Sequence, residues 1–432
     1  ADLFASGNDR RHKQFSTELE VSGSTDLFDW VVGGFYFWEK GSEDNAQNSG
    51  FVLDTNAAVF SRFGALSPIF QAANTAQGNQ YRLVVTPARL TYTAQAQSTA
   101  IYAQTTIYPT GAEGPLSLTL GGRYTWDEKS IVRQQNGAAP LVNLESGDAN
   151  FSKFTWNAMA RYAFSDDASI YLRAATGYRS GGFNAGDPTL SGTTTVPAFN
   201  EESVTSYEVG LKTEFFDNRL RLNIAAYHNI YEDLAVTTPV LVGGGTFQTR
   251  IVNAGKVKYY GIEADFLLSL TDNFYVDGSA GYVDIKFKEF NAGQPVNPAD
   301  PIANIASIVT PTYTSPLTAN IGLNAVFPVG GNGMEVKARV SYTHEDGKYS
   351  FASTVSSPFA EAVKSDAIDT VDAQIVLDKI PLGGGTAKFM VWGKNLTDDN
   401  NLVRAIDFGP LGYGGGYFGE PRTFGATFGF EF

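Results

Sequence analysis

Leu116-Ser117-Leu118-Thr119-Leu120-Gly121-Gly122-Arg123-Tyr124-Thr125-Trp126 decides the fold. Leu116, Leu118, Leu120, Gly122, Tyr124 and Trp126 alternate with Ser117, Thr119, Gly121, Arg123 and Thr125. A β-strand turns successive side chains to opposite faces, so a period of two gives one greasy face and one polar face. The same alternation sets Phe154, Trp156, Ala158, Ala160, Tyr162 and Phe164 against Thr155, Asn157 and Arg161. It sets Leu220, Leu222, Ile224 and Ala226 against Arg219, Arg221, Asn223 and Tyr227. The last segment opposes Phe424, Ala426, Phe428, Phe430 and Phe432 to Thr423, Gly425, Thr427, Gly429 and Glu431. Such a sheet either covers a soluble core on one side, or closes into a barrel with lipid outside and water inside.

Composition narrows the field. The 432 residues include 45 Gly, 31 Phe, 21 Tyr and 5 Trp, with 43% hydrophobic residues, too apolar for disorder. Only 18% are charged, below the ~25% usual for a soluble domain. The absence of Cys excludes disulfide scaffolds, thiolate metal sites and cysteine nucleophiles. A net charge of −14 argues against nucleic acid, which needs a basic surface. The long uncharged stretches at 90–112 and 301–333 are full of Thr, Gln, Asn, Ser and Pro, so neither makes a spanning helix. Ala1-Asp2-Leu3-Phe4 has neither the basic start nor the apolar run of a signal peptide.

The connections separate the two architectures. About fifteen strand segments are read here. Short links are expected near 22–29, 108–115, 164–168, 217–218, 271–273, 327–334 and 380–386. Long ones are expected near 40–90, 129–150, 180–200, 233–248, 290–311, 347–365 and 398–420. Strict alternation sends all long loops to one rim and all tight turns to the other, as in outer-membrane barrels. Phe28, Trp30, Tyr108, Phe164, Phe215, Phe216, Phe274, Tyr275 and Phe327 fall at the tight-turn ends, which suits an interfacial aromatic girdle. The expected fold is therefore all-β, an antiparallel transmembrane β-barrel. Phe432 ends the final strand on the tight-turn side, and counting back gives the first strand, 13–22, the same direction. An outward-rising predecessor is then expected, so residues 1–432 are read as a barrel portion incomplete at its N-terminal side.

Several segments resemble the TonB-dependent outer-membrane receptors, in particular a large proteobacterial subgroup. Phe199-Asn200-Glu201-Glu202-Ser203-Val204-Thr205-Ser206-Tyr207-Glu208-Val209-Gly210-Leu211-Lys212 is similar to that family's PE-x-S-x-x-YE-x-G-x-K strand. Asp217–Asn223 and Tyr227–Asp233 look like its next strand, and Asn253-Ala254-Gly255 with Gly261-Ile262-Glu263 like its NAG…GVE strand. Gly177–Asn184 resembles GYKSGGFN, and Asn395-Leu396-Thr397-Asp398 stands in place of NLFD, ahead of a terminal aromatic strand. The resemblance implies a 22-stranded barrel, of which about fifteen strands are present here. It also implies a lumen-filling plug domain absent from this chain, energy delivered by the TonB–Exb inner-membrane complex, and residence in the outer membrane of a Gram-negative bacterium. Ferric siderophores are the family's commonest substrates, followed by cobalamin and oligosaccharides.

Catalytic and cofactor readings are weak, and no cofactor is implied. Gly414–Gly419 fits G-x-G-x-x-G, but a loop precedes it and an aromatic strand follows, where the dinucleotide fingerprint needs a strand and a helix. Gly243–Gly245 and Gly383–Gly385 read as a loop and a turn. His12, His228 and His344 are widely separated, and no G-x-S-x-G elbow or H-E-x-x-H pair occurs. Asp398-Asp399-Asn400-Asn401 lacks EF-hand spacing and reads as a solvated acidic loop. The sequons at Asn150 and Asn395 read as chance.

Binding is better supported, because long loops on a rigid scaffold carry recognition. The last loop offers Arg404, Asp407, Phe408, Tyr413, Tyr417 and Phe418 as candidate substrate-binding residues. Aromatics stack and Arg pairs with anionic groups, so a metal chelate or a sugar suits the set. The loops at 129–150 and 347–365 are expected beside it. The partners expected are outer-membrane lipid, a small-molecule substrate such as a metal chelate, and, by the resemblance, TonB–Exb. Two function classes stay open at this point, an energised transporter and a passive porin-type channel.

Overall fold

A computed structural model describes residues 4–54, 81–135, 144–186, 195–242, 246–253, 255–291, 304–350, 361–407 and 414–432. The elements in chain order are β1 (Phe4–Ser24), β2 (Phe28–Asp54), β3 (Tyr81–Ile107), β4 (Leu116–Gln135), β5 (Glu145–Ser165), β6 (Ala168–Arg179) and β7 (Gly182–Phe183). There follow β8 (Ala198–Phe199), β9 (Glu202–Phe215), β10 (Leu220–Glu232), β11 (Ala235–Val242), β12 (Thr246–Asn253), β13 (Val257–Ser269) and β14 (Phe274–Phe287). The last are β15 (Leu317–Val329), β16 (Met334–Glu345), β17 (Ile368–Leu382), β18 (Gly385–Lys394), β19 (Leu402–Asp407), β20 (Gly414–Phe418) and β21 (Thr423–Glu431).

Fifteen strands form one antiparallel sheet in the order β1-β2-β3-β4-β5-β6-β9-β10-β13-β14-β15-β16-β17-β18-β21. Neighbours in space are neighbours in sequence, apart from small hairpins inserted in the long connections. Among the described residues the outer edges of β1 and β21 are unpaired, so the wall is open. Connection lengths alternate along most of the sheet, with tight links such as 166–167 and 383–384 and long ones such as 233–256 and 395–422, but the contrast nearly vanishes between 108–115 and 136–144.

The register extends one apolar face across the wall. Leu120 pairs with Ala158, Ala158 with Ala174, and Ala174 with Tyr207. Further on, Ala226 pairs with Ile262, Ile262 with Tyr282, and Ile375 with Val391. Cross-strand partners share a face, so these residues line one surface. Leu172, Ile262, Ile375 and Phe428 on it are between 54% and 65% exposed. An exposed apolar surface of that extent marks a contact with something other than water. The accessible surface, 25550 Å², exceeds the roughly 16,000 Å² of a globular monomer of 46.6 kDa. A conventional core is correspondingly small: Phe290 and Val309 pack with Val236, Phe287, Ile305 and Ala306 near the long-loop rim.

The opposite face is polar and fitted together by charge and by close approach. Arg339 binds Asp277 at 2.9 Å and Asn324 at 2.8 Å, and Tyr171 donates to Glu208 at 2.6 Å. The Tyr227 ring lies flat across Gly261 on the adjacent strand, where a Cβ would come within 2.2 Å of it. Trp392 covers Gly425 in the same way, which explains part of the glycine content.

The structure differs from the sequence expectation at 40–90 and in the aromatic girdle. In the segment read as a loop from 40 to 90, every described residue is strand, since β2 runs to Asp54 and β3 starts at Tyr81. Above Trp38 the apolar side of β2 turns polar at Lys40, Ser42 and Asp44, so the period disappears while backbone pairing continues. The aromatic girdle also loses two members. Tyr275 pairs with Asn324 on the polar face, and Tyr108 donates its hydroxyl to Asp29 at 2.6 Å. Phe28, Phe164, Phe215, Phe274 and Phe327 keep to the apolar face, with the Phe274 and Phe327 rings 5.3 Å apart.

Candidate functional site

Three long connections meet at one side of the long-loop rim. Asn395, only 7% exposed, anchors the last of them. Its amide donates to the carbonyls of Asp399 (2.9 Å) and Glu420 (3.1 Å), and its oxygen accepts from the Asp399 amide at 2.9 Å. Asp398 binds Arg422 at 3.1 Å, and Asp399 accepts from the Asp369 amide at 2.9 Å. The acidic run is thus a clamp that closes the loop's base, and a buried Asn395 presents no acceptor for a glycan.

On this base stands the β19–β20 hairpin, with Arg404 opposite Tyr417 and Leu402 opposite Phe418. Arg404, Tyr417 and Phe418 are exposed. The Arg404 guanidinium lies 5.7 Å from the ring of Tyr313, which comes from the connection between β14 and β15. Asp407 sits at the hairpin's end with its backbone opposite Gly414. Phe408 and Tyr413 lie outside the described residues.

The connection between β16 and β17 joins them. Leu402 donates its amide to Asp366 at 3.2 Å and accepts from the Asp366 amide at 3.1 Å. Tyr313 donates its amide to the Tyr349 carbonyl at 2.8 Å, and Lys364 stands 5.2 Å from the Tyr349 ring. Burial and a 2.9 Å bond to Glu361 raise the Tyr349 phenol above its usual range. Arg404, Lys364, Tyr313, Tyr349 and Tyr417 thus gather as a patch at one side of the rim, while Phe418, the next residue of the strand, turns to the hairpin's other face. Such a patch can stack on planar groups and pair with anionic oxygens. Tyr313, Tyr349 and Lys364 were not singled out from sequence, because each sits in an irregular loop with no periodic signal.

The segment 129–150 goes elsewhere. Most of its described residues are strand, and it grips the connection after β6. Lys129 donates to the Gly181 carbonyl at 2.7 Å, and the fully buried Arg133 binds Glu145 at 2.6 Å and the Asn184 carbonyl at 3.1 Å. The Asn184 side-chain amide donates to the Ile251 carbonyl and accepts from the Ile251 amide, and the Asn253 side chain makes the same pair of bonds with the backbone of Asn200. The GYRSGGFN and NAG segments therefore tie long connections together at their roots.

On the polar face a cavity of about 470 Å³ is lined by Tyr171, Lys212, Asn223, Glu263, Asp265 and Thr318, among others. Among the described residues, no group of three or more His, Asp or Glu is placed to hold a metal ion.

Comparison with known proteins yields one family. A profile described as TonB dependent receptor-like, beta-barrel matches residues 2–396. The ferric-pyoverdine M114 receptor PbuA of Pseudomonas sp. (strain M114) is 25% identical over 177 residues, which is 40% of this chain and 20% of that protein. Among solved structures, the ferric yersiniabactin uptake receptor FyuA from Yersinia pestis superposes with a TM-score of 0.72 at 16% identity. That match covers 100% of this chain and 56% of FyuA. The siderophore receptor PiuA from Acinetobacter baumannii gives 0.63 at 16% identity, covering 98% of this chain and 56% of PiuA. The chain thus spans little more than half the length of these solved relatives.

Proposed function

The chain belongs to the TonB-dependent receptor family through its β-barrel, and from that premise we propose that it forms the larger part of an outer-membrane active-transport receptor. The receptor sits in the outer membrane of a Gram-negative bacterium with its long connections outside. It captures a scarce substrate, a ferric siderophore foremost, and releases it inward when the TonB–Exb complex pulls on a plug. By the family resemblance such a barrel has 22 strands around a plug, and this chain covers 56% of FyuA. The names of PbuA, FyuA and PiuA as receptors for ferric siderophores support the substrate class.

The observation that carries the reading is the gathering of Arg404, Lys364 and three aromatics, Tyr313, Tyr349 and Tyr417, from three connections at the long-loop rim, above a polar lumen face. Cation and ring together suit a chelate with anionic, partly aromatic metal-binding arms. The test is equilibrium binding of a panel of ferric siderophores to the full-length protein, followed by quenching of intrinsic fluorescence. Saturable binding of one chelate, absent for its iron-free form, is expected. A second reading, a passive porin, is favoured only by the polar face of the wall. Absence of chelate binding, together with steady ion conductance in planar bilayers, would overturn the receptor reading.

A further inference from the structure

Near its upper end the apolar face carries a pair of lysines directly opposite each other. Lys258 on β13 and Lys286 on β14 are Cα partners, and Lys258 also pairs with Ile230 on β10. Like charges facing across an antiparallel pair repel. Lysine on a lipid-facing surface is also costly unless it lies at the interface. Lys286 binds Asp284 at 2.6 Å, and neighbouring Lys256 binds Glu232 at 3.1 Å. Lys258 has no ion-pair partner among the described residues. Three lysines thus face two carboxylates, an excess of positive charge on a chain whose net charge is −14.

Height along the wall explains where this charge sits. From Leu220, beside the tight turn, to Ile230 is about ten residues of strand. At ~3.3 Å each and a tilt of ~40° they rise about 25 Å, the height of the apolar band of such barrels. The lysine row therefore falls at the upper edge of the lipid. One pleat below it lie the rings of His228 and Tyr260, stacked 4.2 Å apart, in line with Tyr207. Rings at this level match an interfacial belt, with the cations one step further out.

We propose that Lys258 and Lys286, above the His228–Tyr260 stack, form a docking site for the phosphate of a lipid headgroup in the surrounding outer leaflet. The phosphate lies between the two ammonium groups, relieving their repulsion, while the acyl chains run down the apolar face past Ile262 and Tyr282. The inference rests on the lipid-facing assignment of that face and is independent of the transported substrate. The probes are bisphosphorylated lipid A and its dephosphorylated form, titrated onto the full-length protein in neutral detergent and counted by native mass spectrometry.

The Lys258→Gln/Lys286→Gln double variant is expected to lose lipid A affinity by about tenfold or more, with binding of the dephosphorylated form unchanged. Lys388→Gln, on the polar face, should bind as wild type. Lys258→Arg/Lys286→Arg should retain binding, which separates lost charge from lost folding. Equal lipid A affinity in wild type and the Gln variant would overturn the proposal. So would an equal loss in Lys388→Gln, or full displacement of the lipid by millimolar inorganic phosphate, which would make the site one for free anions.

Discussion

Ile262→Lys puts the orientation of the wall at risk. Ile262 is 54% exposed, and its cross-strand partners are Ala226 and Tyr282. It lies about six residues above the tight-turn end of β10, at ~3.3 Å per residue and a tilt of ~40°, so roughly 15 Å into a band about 25 Å tall. A lysine there stands near the bilayer midplane, too deep to reach either interface comfortably. Charged substitution at that depth costs about 2–4 kcal/mol, a 30- to 1000-fold change in the folding equilibrium. If the face met water instead, replacing a half-exposed Ile by Lys would change stability by no more than about 0.5 kcal/mol. Ser279→Lys, on the polar face beside the cavity, is the control and should fall within that smaller range. The assay is reversible urea unfolding of the full-length protein from phospholipid vesicles, followed by tryptophan fluorescence. A loss below about 0.5 kcal/mol for Ile262→Lys, or equal losses for both variants, would refute a lipid-facing apolar surface.

Other perturbations test the joints and the site. Gly261→Ala drives a methyl to within 2.2 Å of the Tyr227 ring, so that ring must leave its place; a loss of about 1–3 kcal/mol is expected in the same unfolding assay. Arg133→Ala leaves Glu145 charged and buried at the loop root, at a cost of about 3–5 kcal/mol. Limited proteolysis should show faster cleavage in the connection after β6, and an unchanged cleavage rate would mean that Arg133 does not hold that connection in place. Arg404→Ala and Tyr313→Ala should each weaken chelate binding, with a coupling of about 0.5–1 kcal/mol in a double-mutant cycle. Strict additivity would mean that the two side chains do not act as one surface.

Where the apolar face meets lipid, the fold was legible. Leu116–Trp126 and Leu220–Ala226 alternate because one side is greasy and the other wet, and both lie in strands of the large sheet. The signal vanishes once the strands leave the membrane. On β2, Lys40, Ser42 and Asp44 continue the face that held Tyr36 and Trp38, and both sides then see water. Pairing persists there through backbone bonds and ion pairs such as Arg89 with Asp44, which leave no period to read. The same reasoning applies to the small hairpins β11–β12 and β19–β20. The hairpin bearing Arg404, Tyr417 and Phe418 was found because rings and a cation cluster in sequence. Tyr313 and Tyr349 reach it from distant connections, and only tertiary structure places them beside it.

Whole-cell uptake of a radiolabelled ferric chelate is the measurement that separates an energised outer-membrane receptor from a passive channel. The measurement compares the parent strain, a strain lacking this protein and a strain lacking TonB, with the chelate taken from the binding panel. Accumulation is expected in the parent alone, with both deletions reduced to the same background. Uptake that requires this protein but continues without TonB would contradict the receptor reading and leave a passive channel in its place.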